Sequence, residues 1–235
     1  MTEIEPIFDK TCECKMCKKS FTTKKLRSRF IKVTSYDTDF CPFYTSEETN
    51  PLLYHVSVCP HCGYSSTKDF SPYFPPGTLE EIQDKVCNQW VSRDFGQKRS
   101  VTDAVKAYKL AVYSGLLKKE KHIIIAGIYV RLAWLYRSTK NEEQEQRFLK
   151  LATTAYLDSY MGDDYNITQV SEVKMLYLIG ELSRRTNQNE QAVKFFSKVI
   201  EKQGKTSESG IIDMARERWY EIRENQKTEK QAQEI

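Results

Sequence analysis

"LYLIGELSRRTNQNEQAVKFFSKVI", residues 176–200, decides the fold. Leu176, Ile179 and Gly180 recur at the three- and four-residue spacing of one helical face. A polar turn follows at Asn187 to Asn189, and Ala192, Phe196 and Val199 then repeat the spacing. Small residues at Gly180 and Ala192 let two antiparallel helices approach, and a large apolar residue fills the space beside them. The stretch predicts a helical hairpin.

The preceding stretch, "YVRLAWLYRSTKNEEQEQRFLKLA" (129–152), repeats the pattern with Tyr129, Leu132, Ala133, Tyr136, Leu149 and Ala152, but has Glu145 where a small residue is expected. A fainter pair runs through Val91, Ser92 and Phe95, then Ala104, Tyr108 and Ala111. These pairs resemble tetratricopeptide repeats, whose period is about 34 residues. Here Ser92, Ala133 and Gly180 are 41 and 47 residues apart, so a regular superhelix and a looser bundle of hairpins both stay open. Seven helices are expected, near 78–95, 101–118, 121–138, 142–160, 167–186, 189–203 and 209–228. Capping boxes start the first two, Thr78 with Glu81 and Ser100 with Asp103, and Asn141 with Gln144 is a looser version.

Upstream of "FSPYFPPGT" (70–78) the character changes. "LYHVSV" (53–58) alternates in the manner of a half-buried strand, and "RFIKVTSY" (29–36) is a weaker partner. We therefore expect a mostly α chain: a small zinc-ribbon-like β module over 1–74, followed by a tetratricopeptide-like hairpin array over 75–235.

Two cysteine pairs interrupt the extended half. Cys14 and Cys17 stand in "CECKMCKKSF", Cys59 and Cys62 in "VCPHCGYSS". Each Cys-x-x-Cys turn offers two sulfurs from one short loop, and two such turns close a tetrahedral site. The expectation is one structural Zn2+ per chain. Gly63 suits the sharp turn behind the second pair; the first has Lys18 in its place. Cys12 could shift the first pair, and Cys41 could substitute for a ligand or lie beside the site. His61 is expected to point outward, Cys87 to be buried filler, and His55 and His122 to carry no chemistry.

Seven cysteines cannot all pair, and vicinal pairs of this kind read as metal ligands rather than structural disulfides. The 235 residues contain no apolar run near the ~20 needed to span a bilayer. "MTEIEPIFDK" at the start does not read as a leader, so a cytoplasmic protein is expected. The net charge of +4 is unevenly spread: Cys14 to Tyr36 holds eight basic residues and no acid. Lys24, Lys25, Arg27 and Arg29, with Phe21, Phe30 and Tyr36 interleaved, form a candidate nucleic-acid contact. The alternative is a solvated strand edge guarded by lysine.

"CKMCKKSF", "SYDTDFCPFY", "NPLLYHVSVCPHCGYSS" and the helical tail together resemble a bacterial family known as domain of unknown function 2225. The resemblance covers most of the chain. It implies that Cys14 and Cys17 form the partner knuckle and that the protein is bacterial and cytosolic, and it implies no activity.

Three function classes follow. A non-enzymatic zinc-binding adaptor would present a helical groove to a protein or peptide, with Arg131, Arg137, Lys174 and Tyr177 on its first-helix faces and a taste for acidic or C-terminal carboxylate peptides. A regulator would bind nucleic acid through residues 15–32. A thiol-based sensor would exchange zinc for a disulfide. No Ser-His-Asp set, phosphate loop or acid pair is recognisable, and three histidines give little general-base capacity, so no enzymatic activity is expected.

Overall fold

A computed structural model describes the backbone of residues 4–233, and the side chains of those residues apart from 167 and 229–233. The extended half folds as three two-stranded antiparallel ribbons. β1 (Ile7–Glu13) pairs with β2 (Ser20–Leu26), β3 (Val33–Tyr36) with β4 (Pro42–Tyr44), and β5 (Ser57–Val58) with β6 (Ser65–Ser66). The first and third are hairpins closed by the two Cys-x-x-Cys turns. The helical half comprises α1 (Thr78–Ile82), α2 (Val101–Leu117), α3 (His122–Ser138), α4 (Glu142–Met161), α5 (Glu172–Arg185), α6 (Asn189–Ile200) and α7 (Ser209–Gln233). From α2 onward each helix packs on its sequence neighbour.

The hairpin pattern is realised in the core. Leu132, Ala133, Tyr136, Leu149, Ile179, Ala192 and Phe196 are all buried. At Gly180 the missing side chain admits the Phe196 ring: a Cβ there would lie 2.8 Å from two ring carbons. The Ser100–Asp103 capping box forms, and Asn141 accepts from the Gln144 amide.

Several expectations are corrected. The helix expected over 78–95 ends in a π-helical turn at Gln83–Cys87, and 88–100 is irregular, so the faint third pair has no first helix and Val91 is 84% exposed. This segment is held elsewhere: buried Arg99 donates to the carbonyls of Leu53, Val56 and Phe95. Thr78 does not cap, because its hydroxyl donates to the Pro75 carbonyl and Gly77 occupies the cap position. α5 begins at Glu172, not 167, with Ser171 capping the Lys174 amide. In "LYHVSV" only Ser57 and Val58 are strand; Pro51–Tyr54 is a 3-10 turn started by Asn50, which buries Leu52, Leu53 and Tyr54 together.

One hydrophobic core runs from the second knuckle through the hairpins to Ile222. Polar staples cross the same boundary. The Tyr108 hydroxyl donates to the Leu52 carbonyl, and the Lys118 ammonium, 1% exposed, donates to the Ser71 carbonyl and pairs with Glu120. A buried charge paired with a carboxylate and hydrogen-bonded to a carbonyl in this way fixes one geometry.

Candidate metal centre

Both knuckles have the same backbone wiring. The amide of Lys18 donates to the carbonyl of Cys14 and that of Gly63 to Cys59, while the amides of Cys14 and Cys59 reach the carbonyls of Lys19 and Tyr64. The fourth residue past each first cysteine is left-handed, φ 61° at Lys18 and 73° at Gly63. Lys18 thus adopts the conformation that Gly63 takes without a steric penalty. Gly63 has a second reason to lack a side chain. The Trp90 ring lies over it, so that a Cβ would fall 2.5 Å from Trp90 Cδ2, and the indole N–H donates to the Pro60 carbonyl at 2.9 Å. Trp90 in the irregular segment was not singled out from sequence; helical periodicity gave it no role.

The two turns face each other. Cys14 Sγ lies 3.6 Å from Cys62 Sγ and Cys17 Sγ 3.7 Å from Cys59 Sγ, and all four sulfurs lie within 4.8 Å of one another. A tetrahedron of sulfurs on arms of about 2.3 Å has edges of about 3.8 Å. The cluster is therefore of the right size and softness to hold a metal ion. Cys14, Cys59 and Cys62 are buried and Cys17 is half-buried. The hydrogen bond to Cys62, then burial, push the Cys14 thiol far above its ordinary range, and burial pushes Cys59 up to about 11. A divalent cation held by these four sulfurs would reverse that balance, since it binds them as thiolates.

The histidines, Cys12 and Cys41 lie outside the cluster, whereas the Cys87 thiol lies against Cys62 at its edge. Cys12 lies on β1 facing Phe21, outside the sulfur cluster. Cys41 is buried beside Asp39, which accepts its amide. His61 is exposed, with Nε2 3.3 Å from the Ser20 carbonyl, and His122 is exposed at the start of α3. Cys87 is half-buried.

The basic run is split by the strand period. Lys24 pairs with Asp9 at 2.7 Å, whereas Lys25 turns to the other face with Lys10. Arg27 stacks on Phe8 and Arg29 on Phe30. The four do not form one continuous stripe.

The four groove residues also separate. Tyr177, expected on an exposed face, is 0% exposed, and its hydroxyl donates to the Thr38 carbonyl. Arg137 is not free either: it grips Asp37, Asp39 and Glu145 at 2.9, 2.7 and 2.7 Å. The physical reason is the chain's own loop between β3 and β4. Asp37 and Asp39 reach across to Arg137 and Arg185, Trp134 donates to Asp39, Thr38 donates to buried Glu181, and Phe40 packs on Tyr177. Arg131 and Lys174 lie further along and line one cleft of about 940 Å³ between the ribbons and the helices. The sequence signal for the latch was "DTD", two acids straight after a long basic run, which is meaningful only once α3 and α5 are placed beside it.

The chain matches, over residues 7–222, the family described as "Uncharacterized protein conserved in bacteria (DUF2225)", and it belongs to that family. No curated protein and no solved structure matches it. Among the described residues no helix is long and apolar enough to cross a membrane.

Proposed function

We propose that the chain is a non-enzymatic, zinc-stabilised adaptor for a protein or peptide partner. The observation that carries the reading is the closed sulfur cluster of Cys14, Cys17, Cys59 and Cys62, set in a module that shares one core with the helical hairpins. Four thiolates saturate a tetrahedral ion and leave no position for water or substrate, so the metal holds shape. Zinc suits an all-sulfur tetrahedron with two opposite edges of 3.6 and 3.7 Å. Successive helical hairpins then offer an extended surface of the kind that binds other chains. In this reading the protein works in the cytoplasm, where its seven cysteines stay reduced. The nucleic-acid reading has less support, because Lys24 is neutralised by Asp9 and Lys25 faces away from it.

The test is recovery of partners with tagged native protein, with and without nuclease, alongside metal analysis. About one zinc per chain and a protein partner that survives nuclease are expected. Partners released by nuclease, or a metal-free protein that resists proteolysis equally well, would overturn the reading.

A further inference from the structure

The cleft of about 940 Å³ between the ribbons and the α3–α5 face has the size of a small-molecule site. Ile124, Ile128 and Leu178 form an apolar wall, and Phe40, Tyr44 and Tyr156 an aromatic one. Into this setting come three cations, Arg131, Lys174 and Lys68. Arg131 is half-buried, and its Nη1 donates at 2.6 Å to the Gly127 carbonyl of its own helix. Lys174 lies 4.6 Å over the Phe40 ring. Among the described residues no carboxylate lies within 4.0 Å of any of the three. Of the two acids on the lining, Asp39 is already held by Arg137 and Trp134, which leaves exposed Asp69. His55 does not add charge. Burial, with Arg131, Lys68 and Lys25, pushes its pKa to about 3, so the imidazole is neutral.

A guanidinium partly removed from water, flanked by apolar and aromatic walls and lacking an anion, is an unfilled half of a recognition pair. We infer that the cleft binds a small organic anion, a carboxylate carried on a flat apolar body, with the carboxylate on Arg131 and the body between the isoleucine and aromatic walls. Lys174 and Lys68 supply field, not a second fork. The site is separate from the metal centre, but Arg131 and Lys174 are also two of the residues expected to line a peptide groove, so the peptide arm of the test below distinguishes a small anion from a chain end.

The test compares naphthoate with its neutral counterpart naphthylmethanol by calorimetry on the full metal-loaded chain. Naphthoate should bind at least about tenfold tighter, the minimum a charge-assisted hydrogen bond supplies. Arg131→Met should erase the preference while leaving the alcohol's affinity, the metal content and the unfolding temperature unchanged; Lys24→Met, on the β1–β2 ribbon and off the cleft lining, should change nothing. Lys174→Met should reduce the preference severalfold and serves as the test should Arg131→Met fail to fold. Equal affinity for acid and alcohol, binding of neither, or a preference that survives the cleft substitution would overturn the inference. So would capture of a peptide with a free, but not an amidated, C-terminus where naphthoate fails, which would make the occupant a chain end.

Discussion

Replacing Gly180 by leucine tests the helical register directly. A Cβ at that position would lie 2.8 Å from both Cδ1 and Cε1 of Phe196 and 3.3 Å from Cγ. The ring cannot retreat: Phe196 is 0% exposed and packs against Tyr177, itself fully buried, with centroids 5.7 Å apart. Overpacking of this kind costs about 1–3 kcal/mol. For Gly180→Ala, the gain in helix propensity returns about 1 kcal/mol, which leaves a net loss of about 0–2. Gly180→Leu places three further carbons in the same space and should cost about 3 kcal/mol. For a chain of this size that lowers the unfolding temperature by about 6–12 °C in a thermal melt followed by circular dichroism. Phe196→Leu, added to Gly180→Ala, should recover part of the loss, because the two sites share one space and their effects cannot add. A leucine variant that melts with the parent, or a double variant whose losses are simply additive, would refute the close approach of α5 and α6.

Cys62→Ser should abolish metal binding and expose the ribbons to proteolysis, while the far-ultraviolet helical signal persists. Asp39→Ala should cost about 3 kcal/mol, the lower end for breaking a buried pair, since Arg137 keeps Asp37 and Glu145. Burial opposes ionisation of Asp37, but the Thr38 amide, Arg185 and Arg137 prevail and hold its carboxyl below the usual range. With the folded pKa depressed, its contribution is complete above the unfolded value of about 4 and is lost as the pH falls through the folded one. Trp134 fluorescence should report this loosening below about pH 4 and be flat above it. Lys18→Gly should raise urea resistance by about 1 kcal/mol through relief of its left-handed backbone, whereas Gly63→Ala should lower it, since Trp90 blocks the added carbon.

What the sequence disclosed depended on how local the cause was. The knuckles were legible because a Cys-x-x-Cys turn is set by four neighbouring residues, and Ser100 with Asp103 caps α2 within one turn. The buried faces of α3 to α6 followed from period alone. Residues 88–95 misled, since a helix-like apolar spacing lost to packing of Trp90 over Gly63 and of Arg99 against the 53–56 carbonyls. The ribbon of β1 and β2 was not foreseen, because its strands are polar and only their cross-strand register joins them. Arg137 and Tyr177 read as exposed for a similar reason: the segment that covers them lies 100 and 139 residues away in sequence.

That separation sets an order of events during synthesis, since a chain emerges from its N-terminus. The sulfur cluster spans 48 residues, from Cys14 to Cys62, so all four cysteines are made before any of α1 to α7. The Asp37 latch cannot close until Arg185 has appeared, 148 residues later. Once α3 has emerged, Asp37 and Asp39 can reach Arg137, but the loop between β3 and β4 still lacks the α5 side of its latch. A truncation after α4 would make that interval permanent, leaving a chain with all four clustered cysteines in which Asp37 has lost Arg185 and Thr38 has lost Glu181.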